Sequence, residues 1–288
     1  MLSEIFKLFW KTVERKDARR INSQTPPTEI EQFCDIQYID DGLWQHRLDV
    51  YSKSGKLSHR PVIIDIHGGG WMYGTKEINK NYCLVLAQND YVVVNINYRL
   101  APDFSVADQL RDCFFAFKWV STNIEKYGGG GFLAAYSALL NSSEKLRKVF
   151  GVTESGLEFR ACGLTSPVCF MNTHTFQDAY YSRVKGNEFS ESTLRGFENF
   201  DAVLNKGSMP PTFLVTSSGD AVGRLPTIKI YNLLCGEGVK CKLENRDKYN
   251  GKNLPHVFSV IDPFSVPGKE TISDMLEFFS DYAKSRCK

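Results

Sequence analysis

The sequence predicts an α/β protein with a mostly parallel central sheet flanked by helices. Three observations lead there. Short apolar, β-branched runs at 61–66, 91–96 and 212–216 have the length and composition of strands buried on both faces. Segments of helical periodicity separate them, and strand alternating with helix is the pattern of a parallel sheet. The chain has 288 residues, 42% of them hydrophobic and 24% charged, which is ordinary for a soluble globular protein. That length accommodates one large α/β domain with a full core or two small ones, and the alternation favours a single domain over 1–288.

Apolar residues at 2, 5, 6, 9, 10 and 13 trace one face of an N-terminal helix. It reads as a helix docked on the body, part of a cap over 1–30, ahead of a peripheral membrane helix. Glu4 and Lys7 interrupt it too early for a signal peptide, and no stretch in the chain is apolar enough to span a bilayer. Lys11, Arg15, Lys16, Arg19 and Arg20 read as a solvated helix face. After Pro26-Pro27, the runs 33–39 and 46–51 flank the turn signal Asp40-Asp41-Gly42 and predict an antiparallel pair. A helix at 77–88 follows the strand at 61–66. Another at 106–124, with apolar positions 106, 110, 114, 117, 120 and 124, follows the strand at 91–96.

The alternation then fails once. Where a strand is due, Tyr127-Gly128-Gly129-Gly130-Gly131-Phe132 leads straight into a further helix at 132–148. It resumes with strands at 160–164 and 212–216, a helix at 224–236, a strand at 239–245 and a closing helix at 268–285. Residues 172–207 are polar and aromatic with weak periodicity, and read as an insertion that completes the cap.

The formal charge of +2 argues against nucleic acid or an acidic membrane surface as a composition-driven partner. The eight cysteines form no CxxC pair; Cys113, Cys162 and Cys235 lie in apolar stretches, as packed thiols do. No His or Cys neighbours another at metal-ligand spacing. A reducing cytoplasm fits this usage.

His67-Gly68-Gly69-Gly70-Trp71 follows the strand at 61–66 directly. Glycines there let backbone N–H groups face a cavity without Cβ obstruction, and such groups stabilise the oxyanion formed when an ester carbonyl is attacked. Asn97-Tyr98-Arg99-Leu100-Ala101-Pro102 follows the next strand, Gly219-Asp220 the strand at 212–216, and Leu254-Pro255-His256 lies near the C-terminus. In these motifs, over roughly residues 35–285, the chain resembles the hormone-sensitive-lipase-like carboxylesterase branch of the α/β-hydrolases. The resemblance implies an α/β-hydrolase fold with a small helical cap and a small-molecule ester substrate, with no metal or organic cofactor and no integral membrane association. It implies Gly68 and Gly69 as oxyanion donors with His67 and Gly70 supporting their loop. It also implies Asp220 as the acid that fixes the His256 imidazole, and His256 as general base and then acid.

The resemblance also implies a serine in a Gly-Asp-Ser-Ala-Gly-Gly turn on a central strand, and this chain has no Gly-x-Ser-x-Gly anywhere. Gly130-Gly131 reads as the end of that turn and Tyr127-Gly128-Gly129 as the end of the preceding helix. About ten to twelve residues are then missing, on typical strand lengths. Ser137, Ser121 and Cys113 all sit inside helical stretches and do not substitute. With the serine goes the N–H that follows it, the second oxyanion donor. Three readings stay open: an esterase by descent that is inactive as it stands, a non-catalytic binding protein, and a defective shortened product.

Overall fold

The computed structural model describes residues 2–55, 60–124, 129–130, 135–170, 178–186, 194, 197, 199–204 and 207–283. Tyr127, Gly128, Gly131, Phe132 and much of 172–207 lie outside the described residues.

The predicted antiparallel pair is β1 (Ile30–Gln37) and β2 (Arg47–Lys53), in register from Ile30 opposite Lys53 to Gln37 opposite Arg47. The ladder shifts between Phe33 and Ile36, where Asp35 adopts a φ of 58°. The Asp35 N–H, turned out of the ladder, donates to Asp49 Oδ1 at 2.8 Å. Next come β3 (Arg60–Ile66) and β4 (Val92–Ile96). β2 lies antiparallel to β4, and β4 parallel to β3, with Val62 opposite Val92 and Ile66 opposite Ile96.

Beyond β3 the sheet nearly ends. Only β5 (Gly129–Gly130) pairs there, in parallel, opposite Arg60 and Pro61. From Val62 to Ile66, β3 has no strand on that side among the described residues. A second, three-stranded parallel sheet holds β6 (Cys162–Thr165), β7 (Thr212–Ser217) and β8 (Cys241–Arg246). The break falls where the sequence alternation fails. A short pair, β9 (Lys248–Tyr249) and β10 (Lys252–Asn253), closes over Asn250-Gly251, a turn the sequence reading missed.

The helices are α1 (Leu2–Ser23), α2 (Lys80–Gln88), α3 (Val106–Asn123), α4 (Ala135–Ser142), α5 (Glu144–Phe150), α6 (Asp178–Lys185), α7 (Phe200–Leu204), α8 (Arg224–Gly236), α9 (Phe258–Ile261) and α10 (Val266–Ala283). Ser105 and Asp108 form a capping box that starts α3. The helix expected at 132–148 is two helices, because Ser143 leaves helical geometry and its hydroxyl accepts the Leu146 N–H to cap α5.

Alternation along the buried strands sends side chains to two faces. Val62, Ile64, Val92, Val94, Leu164 and Leu214 pack with Phe114 and Phe117 of α3, Leu139 of α4 and Ile230 of α8. Ile63, Val93, Phe213 and Val215 pack with Leu84 and Leu86 of α2 and Met275 and Phe279 of α10. Each face draws on strands of both sheets, so the helical layers bridge the break in the ladder. Cys113 and Cys162 are buried as expected, but Cys235 is exposed. It sits in the last turn of α8, where Ile230 and Leu234 take the inward face and leave Cys235 turned outward.

A buried ionic group ties β2 to α3. His46 Nδ1 lies 2.7 Å from Asp41 Oδ2 and Nε2 lies 3.2 Å from Asp112 Oδ1, while Arg99 grips Asp112 through Nε at 2.8 Å and Nη2 at 2.7 Å. Burial lowers the His46 pKa, but the two carboxylates outweigh it and the imidazole titrates above its usual value. The folded state therefore favours the charged ring. Its contribution is full below the unfolded value of about 6.5 and is lost as pH rises through the higher folded value. Thermal unfolding from pH 6 to pH 8.5 should show a falling Tm (both pH values being about the span that brackets His titration). The fall should be smaller in His46→Gln, and an identical profile in the variant would contradict this account.

Candidate active site

The loop after β3 is built around two rings. His67 is buried, and its ring stacks on Tyr98 with centroids 4.4 Å apart. The Tyr98 hydroxyl donates to His67 O at 2.6 Å. His67 Nδ1 lies 2.8 Å from Gly68 O, and a carbonyl only accepts, so the proton is assigned to Nδ1. Burial pushes the His67 pKa down to about 4, so the ring is neutral and shapes the loop instead of shuttling protons. Gly69 has a φ of 126°, and a Cβ there would run into the Tyr73 carbonyl. Its own carbonyl accepts the N–H groups of Met72 and Tyr73 at 3.3 and 3.0 Å, which closes the turn. Among the described residues the N–H groups of Gly68 and Gly69 donate to no partner, and the space beside Gly68 is open. Both N–H groups thus stay without an internal partner among the described residues, and the one on Gly68 stands beside free volume.

The segments read as cap both touch this loop. Tyr180 of α6 donates its hydroxyl to Gly70 O. Trp10 of α1 stacks on Tyr73 at 5.3 Å, and the Tyr73 hydroxyl donates to Asp17 at 2.9 Å. The role of residues 98–102 is scaffolding: Trp71 O accepts the Ala101 N–H at 2.9 Å and Gln109 Nε2 at 2.8 Å, which locks that segment and α3 onto the loop.

Asp220 and His256 meet at the C-terminal end of β7. His256 Nδ1 lies 2.8 Å from Asp220 Oδ1. The same oxygen accepts the N–H groups of Gly223 at 2.6 Å and Val222 at 3.1 Å, and Oδ2 accepts the Thr216 hydroxyl at 3.2 Å. Burial raises the Asp220 pKa, but hydrogen bonds from Ser166 and Gly223 and the nearby imidazole outweigh it, so the carboxyl is held below the usual range. An ionised carboxylate accepts from Nδ1–H and leaves Nε2 as the basic nitrogen of the neutral ring. Asp220 is buried while His256 is exposed. The carboxylate is fixed and the imidazole faces solvent.

The fold holds the histidine loop close to the acid turn. Ser217 Oγ donates to Leu254 O at 2.7 Å. A Cβ on Gly219 would strike that same carbonyl, so glycine is required there by close approach. Ser166, Thr216 and Ser217 are site residues the sequence reading missed. Their signal is hydroxyl side chains at the ends of otherwise apolar buried strands, and a left-handed φ of 50° at Ser166.

No hydroxyl or thiol among the described residues hydrogen-bonds the His256 ring. Ser166 engages Asp220 instead. Ser137 and Cys113 are buried in α4 and α3. Gly130 lies opposite Pro61, at the start of the strand position and not at its C-terminal end, where an elbow glycine is expected from the sequence. The parallel register decides this, because five residues of β3, Val62 to Ile66, run on past the last pair before His67 is reached. A cavity of about 610 Å³ lies between α1 and the loop, bordered by Trp10, Trp44, Met72, Tyr73 and Leu100. It borders Met72 to Thr75, just after the glycines, and touches neither Gly68 and Gly69 nor the Asp220–His256 pair.

Comparison with known proteins agrees with this architecture. The BD-FAE family model matches residues 48–155. The chain superposes on Esterase B from Lactobacillus rhamnosis, solved with a tributyrin phosphonate inhibitor, with a TM-score of 0.90 and 26% identity over 99% of this chain and 96% of that one. The chain has the α/β-hydrolase fold, and the proteins it is similar to are carboxylesterases. Among curated relatives it is 26% identical to the isoprenylcysteine alpha-carbonyl methylesterase of Arabidopsis thaliana over 256 residues, 80% of this chain and 58% of that protein. It is 36% identical to the versiconal hemiacetal acetate esterase of Dothistroma septosporum over 81 residues, 28% of this chain and 25% of that protein. The chain therefore spans a quarter to under three-fifths of the length of these relatives.

Proposed function

We propose that this chain carries the scaffold, the acid–histidine pair and the loop half of the oxyanion hole of a carboxylic-ester hydrolase for small to medium acyl esters, and performs no enzymatic turnover by itself. The observation that carries the reading is the Asp220–His256 pair at 2.8 Å with no nucleophile on the imidazole among the described residues. In this reading Asp220 fixes the Nδ1–H tautomer, His256 Nε2 is the base, and Gly68 and Gly69 are the oxyanion donors. Residues 1–30 and 172–207 cap the site within one domain, and the cysteine usage suits the cytoplasm. The inhibitor bound by the Lactobacillus esterase supports short acyl chains as the substrate class.

A base without a nucleophile activates only water. Loss of the nucleophile and of one oxyanion donor removes most of the rate enhancement, each donor alone being about 10²–10³ in kcat. Hydrolysis of nitrophenyl butyrate by the purified chain should match His256→Ala and show no burst of nitrophenol. Turnover that depends on His256 would overturn the reading. The cavity beside α1 favours a second reading, a non-catalytic binding protein. Saturable binding of a non-hydrolysable ether analogue of tributyrin by the folded chain would favour it over the first.

A further inference from the structure

α1 is anchored by one side only. Trp10 stacks on Tyr73, Arg20 Nη1 and Gln24 Nε2 both donate to Ile261 O at 2.6 and 2.8 Å, and Asp17 bonds Tyr73 and Arg20. These bonds rotate the helix so that part of its apolar stripe faces outward. Leu8 is 68% exposed and Phe9 58% exposed. One turn further along the same side, Lys11, Arg15, Lys16 and Arg19 are all exposed. Their spacing places them as neighbours along one helix flank. None of the four makes an ion pair among the described residues. The exposed acid of this stretch, Glu14, turns with Ala18 to the cavity side. Trp44, 50% exposed, stands at the same cavity, whose rim Leu8 and Lys11 share.

We propose that the outer face of α1 is a docking surface for an anionic lipid bilayer, with Leu8 and Phe9 entering the boundary between headgroups and acyl chains and the four basic residues on the lipid phosphates. Exposed apolar side chains beside unpaired cations, on one face of one helix, are the features an interfacial helix needs. A nucleic acid would engage the cations but leave Leu8 and Phe9 in water, so the apolar pair selects lipid over a polyanion alone. The cavity rim at Leu8 and Lys11 would then open at the membrane surface, where lipophilic molecules concentrate. The proposal does not depend on the esterase reading.

The test is co-sedimentation of the full chain, taken from its monomer peak in gel filtration, with vesicles of phosphatidylcholine with and without phosphatidylglycerol. Binding is expected only to the anionic vesicles and should weaken as salt is raised. Each basic residue at such a surface is worth about fivefold in partitioning, so K11Q/R15Q/K16Q/R19Q should lower it by roughly 600-fold. A second variant, L8S/F9S, should lose the part of the binding that survives high salt, with circular dichroism unchanged in both. Equal binding to neutral vesicles, no binding to anionic ones, full binding by the folded quadruple variant, or binding to RNA without binding to vesicles would each overturn it.

Discussion

A strand and a Gly-Asp-Ser-Ala turn inserted after Gly130 should convert this chain into a more stable and active esterase. The register sets the insertion point. Gly130 lies opposite Pro61, and a parallel strand continuing from it would run beside Val62 to Ile66, which has no strand on that side among the described residues. Buried, unpaired backbone groups cost about 1–3 kcal/mol each, so pairing this edge should stabilise the fold by several kcal/mol. In a chain of this size that is a rise in Tm on the order of 5–10 °C. The turn after such a strand would arrive level with His67, between the C-terminal end of β3, which Gly68 and Gly69 follow, and that of β7 in the second sheet, where Asp220 and His256 stand. One insertion would then supply the ladder, the nucleophile and the second oxyanion donor. The measurements are soluble yield, Tm and hydrolysis of nitrophenyl butyrate, with kcat expected to rise from background to about 1–10³ s⁻¹, the ordinary enzymatic range. A soluble, cooperatively folding insertion variant with no activity on any short-chain ester would show that the pair and the loop have decayed as well.

Much of this site was legible in the sequence because each part sits at the end of a strand that announces itself. The apolar run before His67 and the one before Gly219-Asp220 fix where the chain leaves the sheet, and side chains leaving parallel strands at that end converge. The division of the sheet was legible for the same reason, as one missing beat in the alternation. The alignment of the glycines was not. Glycines carry no side chains to mark a register, and only the pairing of Gly129 with Arg60 shows that Gly129-Gly130 begins a strand position and does not end one. The hydroxyl collar of Asp220 was equally hidden, since Ser166, Thr216 and Ser217 are brought together from two strands. The outward face of α1 depends on Arg20 and Gln24 reaching Ile261, a contact across more than two hundred positions that no periodicity reports.

Asp220→Asn should abolish most of the activity of the inserted enzyme while leaving its fold intact. The aspartate oxygen at 2.8 Å from His256 Nδ1 also accepts the Gly223 N–H, and an asparagine carbonyl placed there still satisfies that donor. An asparagine turned to keep Gly223 bonded no longer offers a charge to the imidazole. Turned the other way, its amide donates to Nδ1 and forces the proton onto Nε2, the nitrogen that must be free to act as base. In serine hydrolases the equivalent loss is about 10⁴ in kcat. KM should change little, because Asp220 is buried while His256 is exposed. Melting should stay within about 1 kcal/mol of the parent, since the buried N–H groups keep a partner. The same substitution in the chain as it stands should leave its ester hydrolysis at background. A kcat in the inserted Asp220→Asn enzyme within tenfold of its parent would mean that His256 is oriented by something other than Asp220, and the arrangement read from this site would have to be redrawn.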